Sequence, residues 1–209
     1  FRRVLFRSMA YADADAPPIV HHGYAAGRDV LARKASRNIE LLERAYARDQ
    51  AGGYYAYKLA QHAIGERKRD EARMWLRRAV AEASTSTGPA RFIVTATDIL
   101  ARMLIEDARK LAPGDGAQGL LDEAEVAVVR AVAHYPEATP LWLRLAESAA
   151  QRGDLSVAAR TYATILSRTP DNAEALMGYA SAMRDNPAVV LQTLDRHIAA
   201  HGQTDAVCA

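Results

Sequence analysis

The chain has 209 residues, half of them hydrophobic and a quarter charged, which suits one ordinary domain or a short repeat array. Its 27 lysines and arginines nearly balance its 25 aspartates and glutamates, and the two signs are interspersed, so no basic patch for nucleic acid is present. Its single cysteine, Cys208, excludes a disulfide framework and a thiolate zinc cluster. Because no apolar run approaches the roughly 18 residues of a membrane-spanning helix, we expect a soluble, cytoplasmic protein without a membrane span.

The first eight residues, FRRVLFRS, carry three cations, two aromatic rings and no acid. A secretory signal would continue with an apolar segment of roughly 7 to 15 residues, but small and acidic residues follow from Ala10 to Asp15. The codons TTC AGA CGT GTG CTC TTC CGA TCT encode these eight residues in order and match the end of a common sequencing-library adapter. We therefore expect residues 1–8 to have no biological function, and Met9 to be an internal methionine of a gene truncated upstream.

Residues 28–50 are predicted to form one amphipathic helix. Its apolar residues Ile39, Leu42, Ala45 and Tyr46 fall on one helical face. By this pattern alone, the helix connects to the following segments and caps them with its apolar face.

Residues 53–201 show a repeated two-helix pattern, and the best copy covers residues 139–172. Its first helix is marked by Trp142, Leu145, Ala146 and Ala149, its turn by Gly153 and Asp154, and its second helix by Ala158, Tyr162, Ile165 and the terminating Pro170. This is the tetratricopeptide pattern, with its period of about 34 residues. Large side chains fill the groove between paired helices, small ones let the backbones approach, and each pair needs a neighbour to bury its other face.

Three other copies are predicted at about residues 53–86, 94–138 and, in degenerate form, 173–201. The first depends on Ala56, Leu59, Ala60, Ala63, Ala72, Leu76 and Ala79, the second on Thr97, Leu100, Ala101, Leu104, Ala124, Val128, Ala131 and Pro136, and the last on Leu176, Tyr179, Ala180, Met183, Val190, Leu194 and Ile198. In the second copy the inter-helix segment Lys110–Gly119 makes the copy about eleven residues longer than the period.

The sequence therefore predicts an all-α fold. We expect a right-handed superhelix of antiparallel tetratricopeptide helix pairs, preceded by a short irregular or strand-like segment at residues 9–27 and followed by a tail at residues 202–209.

Two motifs precede the repeats: IVHHGY at Ile19–Tyr24 and RKASRNIELLE at Arg33–Glu43. Their order and spacing, followed by helical repeats, resemble the junction in bacterial family 2 glycosyltransferases that carry C-terminal tetratricopeptide repeats. In that family the transferase domain ends on a strand reading I-x-H-x-G-Y, and a K-x-x-R-N-x-x-L-L-E helix leads into the repeats. The resemblance covers about residues 17–49 and, through the repeats, most of the remaining chain. It implies that residues 9–27 are the end of a transferase domain.

The resemblance also implies a parent enzyme whose catalytic domain is missing from this chain. Such enzymes bind a nucleotide sugar through a divalent metal, Mn²⁺ or Mg²⁺, held partly by an Asp-x-Asp motif. The family's strand histidine lies near this site and matches His21, which is therefore the candidate metal ligand. His22 takes the variable position, where the family usually has tyrosine or another bulky residue, so the choice between the two histidines stays open. The chain alone is expected to be inactive.

The remaining chemical groups have simpler interpretations. Asp13 and Asp15 spell Asp-Ala-Asp, but they lie too close to His21 for the family's metal-binding pair and suit a solvated linker. A polar strand residue is the alternative for His21 itself. Four further histidines are expected on helix surfaces: His62, His134, His197 and His201. A set of aromatic residues is expected mostly in the core: Trp142, Tyr54, Tyr55, Tyr57, Tyr162 and Tyr179. The basic run Arg67–Arg69 is expected in a solvated turn.

Three functions fit these observations. The first is the repeat region of a family 2 glycosyltransferase, which would present a surface for a protein partner or a glycosyl acceptor. The second is a stand-alone repeat scaffold that binds a peptide or partner protein in its concave groove. The third is a repeat domain fused to another enzyme.

Overall fold

The computed structural model describes residues 28–48, 53–83, 92–112 and 114–201. The predictions for residues 1–8, 9–27 and 202–209 lie outside them, as do those for the side chains of Leu194 and Ile198. The chain divides into two compact units, Phe1–Glu40 and Leu41–Ala209. Of the first unit the structure describes only the start of one helix; all other described residues belong to the second.

The described residues form nine α-helices and no strand. In chain order the helices are α1 (Arg28–Arg48), α2 (Tyr54–Gly65), α3 (Arg69–Ala83), α4 (Phe92–Lys110), α5 (Asp115–His134), α6 (Thr139–Arg152), α7 (Leu155–Arg168), α8 (Ala173–Ala182) and α9 (Pro187–His201). The all-α fold that the sequence predicts is therefore confirmed for this part of the chain.

Along residues 36–48 of α1, the half-buried residues are the four of the predicted apolar face, Ile39, Leu42, Ala45 and Tyr46. Within the second unit, the Tyr46 ring packs edge-on against Trp75 of α3, with 5.1 Å between ring centroids. Its hydroxyl donates a hydrogen bond to Glu82 of the same helix. The C-terminal end of α1 therefore packs on α3.

From α2 to α8, each helix packs against the next one along the chain. Three helix pairs follow from this order: α2 with α3, α4 with α5, and α6 with α7. α8, the first helix of the degenerate fourth copy, packs on α7 and α6, and α9 follows it in sequence. At the turn of the third pair, Gly153 has a φ of 89°, in the left-handed region, and its N–H bonds to the carbonyls of Ala149 and Ala150 at the end of α6. Glycine adopts this φ at little cost, so the Gly-Asp turn predicted from the sequence lies where expected.

The apolar core consists of two clusters. The first cluster joins buried residues of α2 to α5, among them Leu76, Leu100, Leu104 and Val128, and also takes in Leu141 of α6. The second joins residues of α6, α7 and α8, among them Leu143, Ala146, Ala158, Tyr162 and Ile165. Alanines of both clusters, including Ala60, Ala101 and Ala146, are fully buried. Their burial agrees with the prediction that alanines lie where paired helices meet.

The prediction of a long inter-helix segment between Lys110 and Gly119 is wrong. α5 already begins at Asp115, so only residues 111–114 connect it to α4. When the second pair is aligned with the third on their alanines, α4 continues three residues further than α6, α5 begins six residues earlier than α7, and the turn is two residues longer. Nine of the eleven extra residues therefore lengthen the two helices, and two lengthen the turn. Packing of Ala117 and Leu120 against the first cluster explains why a segment with two glycines is helical, since tertiary contacts override weak propensity.

The aromatic residues expected in the core differ in burial. Tyr57 and Tyr162 are buried, while Tyr55, Tyr179 and Trp142 are half-buried. Trp142 packs beside the second cluster, and its indole N–H donates a hydrogen bond to the Pro136 carbonyl at 2.7 Å. Tyr54 contradicts the prediction, because 48% of it is exposed. It starts α2, where no later helix covers it completely.

Candidate interaction surface

The first helices of the four predicted copies form one layer. α2 contacts α4, α4 contacts α6, and α6 contacts α8, in addition to the contacts between consecutive helices. A helix that touches the next but one lies beside it, so α2, α4, α6 and α8 share a surface. We call this surface the first-helix face.

The repeat register shows which side chains line the first-helix face. In each first helix a small residue, Ala60, Ala101, Ala146 or Ala180, occupies the same register position. The residues directly after these alanines are Gln61, Arg102, Glu147 and Ser181, and all four are exposed or half-buried. Each helix therefore contributes one accessible polar side chain at an equivalent place, and the four differ in charge and hydrogen-bonding capacity.

Aromatic side chains dominate the N-terminal end of the first-helix face. Tyr57 of α2 stacks on Phe92 of α4 with 5.4 Å between ring centroids, and Tyr54 lies edge-on to the same ring at 5.8 Å. The Lys58 ammonium lies 5.5 Å from the centre of the Tyr54 ring. Gln61 donates a hydrogen bond to the Tyr57 hydroxyl at 2.9 Å. This end thus combines accessible aromatic area with a cation and an amide.

A charged cluster occupies the middle and C-terminal part of the same layer. Arg144 of α6 is its centre, with a side chain only 5% exposed. Its guanidinium contacts Asp98 of α4 at 3.0 Å, Glu147 of α6 at 2.5 Å, and Glu174 of α8. We call these four residues the Arg144 cluster. It is a cation held by three carboxylates from three first helices, the arrangement that a guanidinium fork permits.

The Arg144 cluster shifts the protonation of its neighbours. Burial raises the pKa of Asp98 above its usual range, and Arg144 with Arg102 only partly opposes this rise. Burial opposes the charge of Arg144, but Glu147, Glu174 and Asp98 together raise its pKa. Burial, with the nearby carboxylate of Glu147, also raises the pKa of Tyr162 to about 12. At neutral pH, therefore, Arg144 is charged and the Tyr162 hydroxyl is protonated.

A second group of ion pairs joins α3 to α4. Arg69 and Arg73 of α3 bond to Asp107 of α4, at 2.9 and 2.8 Å, and Arg69 also bonds to Glu106 at 3.0 Å. Arg69 is the last residue of the basic run expected in a solvated turn, so that expectation is wrong for this residue. It begins α3, where its side chain reaches the next helix, while Arg67 and Lys68 remain exposed. Sequence reasoning missed both ion-pair groups because all the partners except Glu147 lie 30 or more residues from their arginine.

The described structure does not include the metal-site candidates. His21, His22, Asp13 and Asp15 lie outside the described residues. Among those described, no group of three or more histidine, cysteine, aspartate or glutamate side chains is arranged to hold a metal ion. Two of the four scattered histidines can be placed: His62 is half-buried on α2 and His134 is exposed at the end of α5. The side chains of His197 and His201 are not among those described. No described helix is both long and apolar enough to cross a membrane.

Residues 117–182 match the family model of the tetratricopeptide repeat. The described region has a tetratricopeptide-repeat fold. The match runs from early in α5 to the end of α8, and α2, α3 and α4 continue the same packing order before it.

The chain is also similar to solved structures. A mutant of MamA superposes with a TM-score of 0.57 at 15% sequence identity, over 85% of this chain and 89% of that one. A thermophilic tetratricopeptide-repeat protein from Thermus thermophilus has a TM-score of 0.47 at 18% identity, over 82% of this chain and 92% of that one. No curated protein matches the chain significantly. At these identities the likeness concerns the fold alone.

Proposed function

We propose that this chain is a protein-interaction scaffold that binds a peptide or partner protein on the first-helix face. The observation that carries the proposal is the layer formed by α2, α4, α6 and α8, which presents one accessible polar residue from each helix at the same register position. Stacked helix pairs create extended surfaces of this kind, and repeat proteins use them for binding.

The chemistry of the first-helix face favours an amphipathic partner. Tyr54 and Met177, which are 48% and 55% exposed, offer apolar contact near its two ends. Arg102 and Glu147 lie between them with opposite charges. Aromatic and arginine side chains supply much of the binding energy at protein interfaces, so Tyr54 and Arg102 are the anchors that we expect to matter most.

The experiment is a peptide-display selection on the folded chain, followed by affinity measurement for the selected peptides. Three variants alter the first-helix face: Tyr54→Ala, Arg102→Ala and Met177→Ala. Two matched controls, Val126→Ala and Arg130→Ala, alter exposed residues of the second helix α5. We expect at least one face variant to weaken binding about tenfold or more, as hot-spot truncations do, and the controls to change it less than about twofold. Selected peptides that respond to the controls and not to the face variants would contradict this proposal.

A second proposal concerns the parent protein. The motifs at Ile19–Tyr24 and Arg33–Glu43, followed by repeats, support the repeat region of a family 2 glycosyltransferase. In that parent a nucleotide sugar and Mn²⁺ or Mg²⁺ would serve the catalytic domain, His21 would lie near the metal, and the repeats would bind the glycosyl acceptor or a partner. The stand-alone scaffold and the repeat domain of another enzyme are the alternatives.

The coding sequence upstream of Met9, taken from an intact gene, separates these alternatives. A transferase reading frame with an Asp-x-Asp motif supports the glycosyltransferase parent, a stop codon supports the stand-alone scaffold, and another catalytic domain supports the third function. For a transferase parent, Mn²⁺-dependent transfer from a panel of nucleotide sugars should occur with the full protein and not with the 209-residue chain. His21→Ala in the full protein should lower the rate about ten- to a hundredfold, as changes near metal sites do.

A further inference from the structure

The apolar core is interrupted where the second helix pair meets the third. α6 divides its apolar residues between the two clusters: Leu141 belongs to the first, and Leu143 and Ala146 belong to the second. Arg144 lies between these residues in sequence. The junction of the two clusters therefore contains a buried cation as well as apolar contacts.

Arg144 differs from the other ion-paired residues at this junction. Arg109 of α4 bonds to Glu147 of α6 at 3.0 Å, but the Arg109 side chain is 55% exposed. Arg152 of α6, whose side chain is 16% exposed, forms ion pairs with the exposed Asp122 and Glu125, but both of these partners lie on one helix, α5. Exposed pairs are screened by solvent and contribute little. Among the described residues, Arg144 is the one buried charged side chain.

The partners of Arg144 come from both sides of the junction. Asp98 lies on α4, whose apolar residues belong to the first cluster, and Glu174 lies on α8, whose apolar residues belong to the second. A buried charge that loses its partners is strongly unfavourable. Arg144 therefore resists any movement that separates α4 from α6 or α6 from α8.

We propose that Arg144 is a positioning residue, which fixes the relative placement of α4, α6 and α8 and so holds the two halves of the first-helix face in one arrangement. This inference deepens the proposed scaffold function, since a surface that is ordered before binding loses less entropy when a partner binds. The role concerns the unbound chain and is tested without a partner.

The test measures the distance between α4 and α8 by double electron–electron resonance. Spin labels are placed at Thr95 of α4 and Ser181 of α8, both exposed, in the 209-residue chain with Cys208→Ser. Arg144→Met keeps most of the side-chain volume and removes the charge. We expect its distance distribution to be about twofold broader than that of the parent, because packed elements that lose a fixed contact move relative to each other.

Arg77→Met is the matched control. Arg77 forms an ion pair with Glu123 at 2.6 Å between α3 and α5, both of which contribute to the first cluster. Its removal should leave the α4–α8 distance distribution unchanged. A folded Arg144→Met protein with the parent distribution would overturn the positioning role, and the scaffold proposal would stand because its own test uses peptide affinity.

Glu174→Gln keeps the test decisive if Arg144→Met does not fold. The Glu174 side chain is 54% exposed, so its loss of charge should be tolerated while one partner of Arg144 is weakened. A broader distance distribution in Glu174→Gln supports the positioning role. If Arg144→Met does not fold, an unchanged α4–α8 distance distribution in Glu174→Gln overturns the positioning role.

Discussion

The ring of Tyr162 on α7 lies directly against the backbone of Gly178 on α8. A Cβ atom on Gly178 would overlap three carbon atoms of that ring. Tyr162 is buried in the second core cluster, so its ring has few other positions available. The absence of a side chain at Gly178 is therefore what allows α7 and α8 to approach so closely.

Gly178→Ala should lower the stability of the chain. Alanine favours a helix over glycine by about 1 kcal/mol, but here overpacking against Tyr162 should cost about 1 to 3 kcal/mol and exceed that gain. Gly119→Ala is the matched control, since a Cβ there meets no atom within 4 Å and the residue lies within α5. In urea unfolding, the free energy of unfolding should be lower for Gly178→Ala than for the parent chain, and it should not be lowered by Gly119→Ala. Equal effects of the two substitutions would disprove the close approach.

Trp142 should contribute less than a fully buried tryptophan. Because the residue is half-buried, Trp142→Ala should cost about 2 kcal/mol, below the ~3 to 5 kcal/mol typical of a core aromatic. Trp142→Phe retains the apolar contact but loses the hydrogen bond to Pro136, which should cost about 1 kcal/mol. Chemical denaturation of both variants measures the difference. A loss as large for phenylalanine as for alanine would mean that the hydrogen bond dominates the packing.

Ala146 should not tolerate a large side chain. It is fully buried in the second core cluster, where α6 meets its neighbours. Ala146→Leu should therefore destabilise the chain by about 1 to 3 kcal/mol. Ala163→Leu, at an exposed position of α7, should change stability by less than about 0.5 kcal/mol. Thermal unfolding of the two variants tests the contrast, and a harmless Ala146→Leu would contradict the repeat register.

The pKa of Asp98 should lie above the ordinary value for aspartate, about 3.9, because burial outweighs the attraction of Arg144 and Arg102. A raised pKa in the folded state means that the folded chain binds this proton more tightly than the unfolded chain does. The stabilisation from this group is thus present below the unfolded pKa and is lost as the pH rises through the folded pKa.

Carbon-13 NMR of the Asp98 carboxyl group measures this titration directly. Arg144→Met should raise the pKa further, since it removes the nearest cation, whereas Arg77→Met should leave it unchanged. Asp98→Asn should abolish the corresponding part of the pH dependence of unfolding. A pKa of Asp98 below about 3.9 would show that the ion pair outweighs burial.

The two tryptophans should report on the two core clusters separately. Trp75 packs against the first cluster and Trp142 against the second. Two single-tryptophan proteins are made by Trp142→Phe and Trp75→Phe. In each of them, the urea midpoint from tryptophan fluorescence should coincide with the midpoint from far-ultraviolet circular dichroism, as expected for one cooperative unit. Adding Arg144→Met should separate the fluorescence midpoint from the circular-dichroism midpoint by about 0.5 M urea. Coincident midpoints in that background would indicate that apolar contacts such as those of Leu141 suffice for coupling.

The sequence predicts the helix pairs well because their signals are local and periodic. Ala146, Ala158 and Ile165 recur at helical spacing, and the structure buries all three. The Arg144 cluster has no such signal. Asp98 and Glu174 are 76 residues apart, and no local sequence pattern marks either of them as a partner of Arg144. The exposure of Tyr54 could likewise not be predicted from the sequence, because it depends on which helix lies next to it in the fold.

The second helix pair is longer than the repeat period but stacks in the same order as the other pairs. Its eleven extra residues are absorbed as additional helical turns and a slightly longer turn, so the pair remains in contact with the helices before and after it. The extra residues shift every later position relative to a template of constant length, and the family match begins at residue 117, within the lengthened α5. Helical arrays of this kind should therefore be counted by alternating contacts between helices, because the number of residues from one pair to the next varies while the packing order does not.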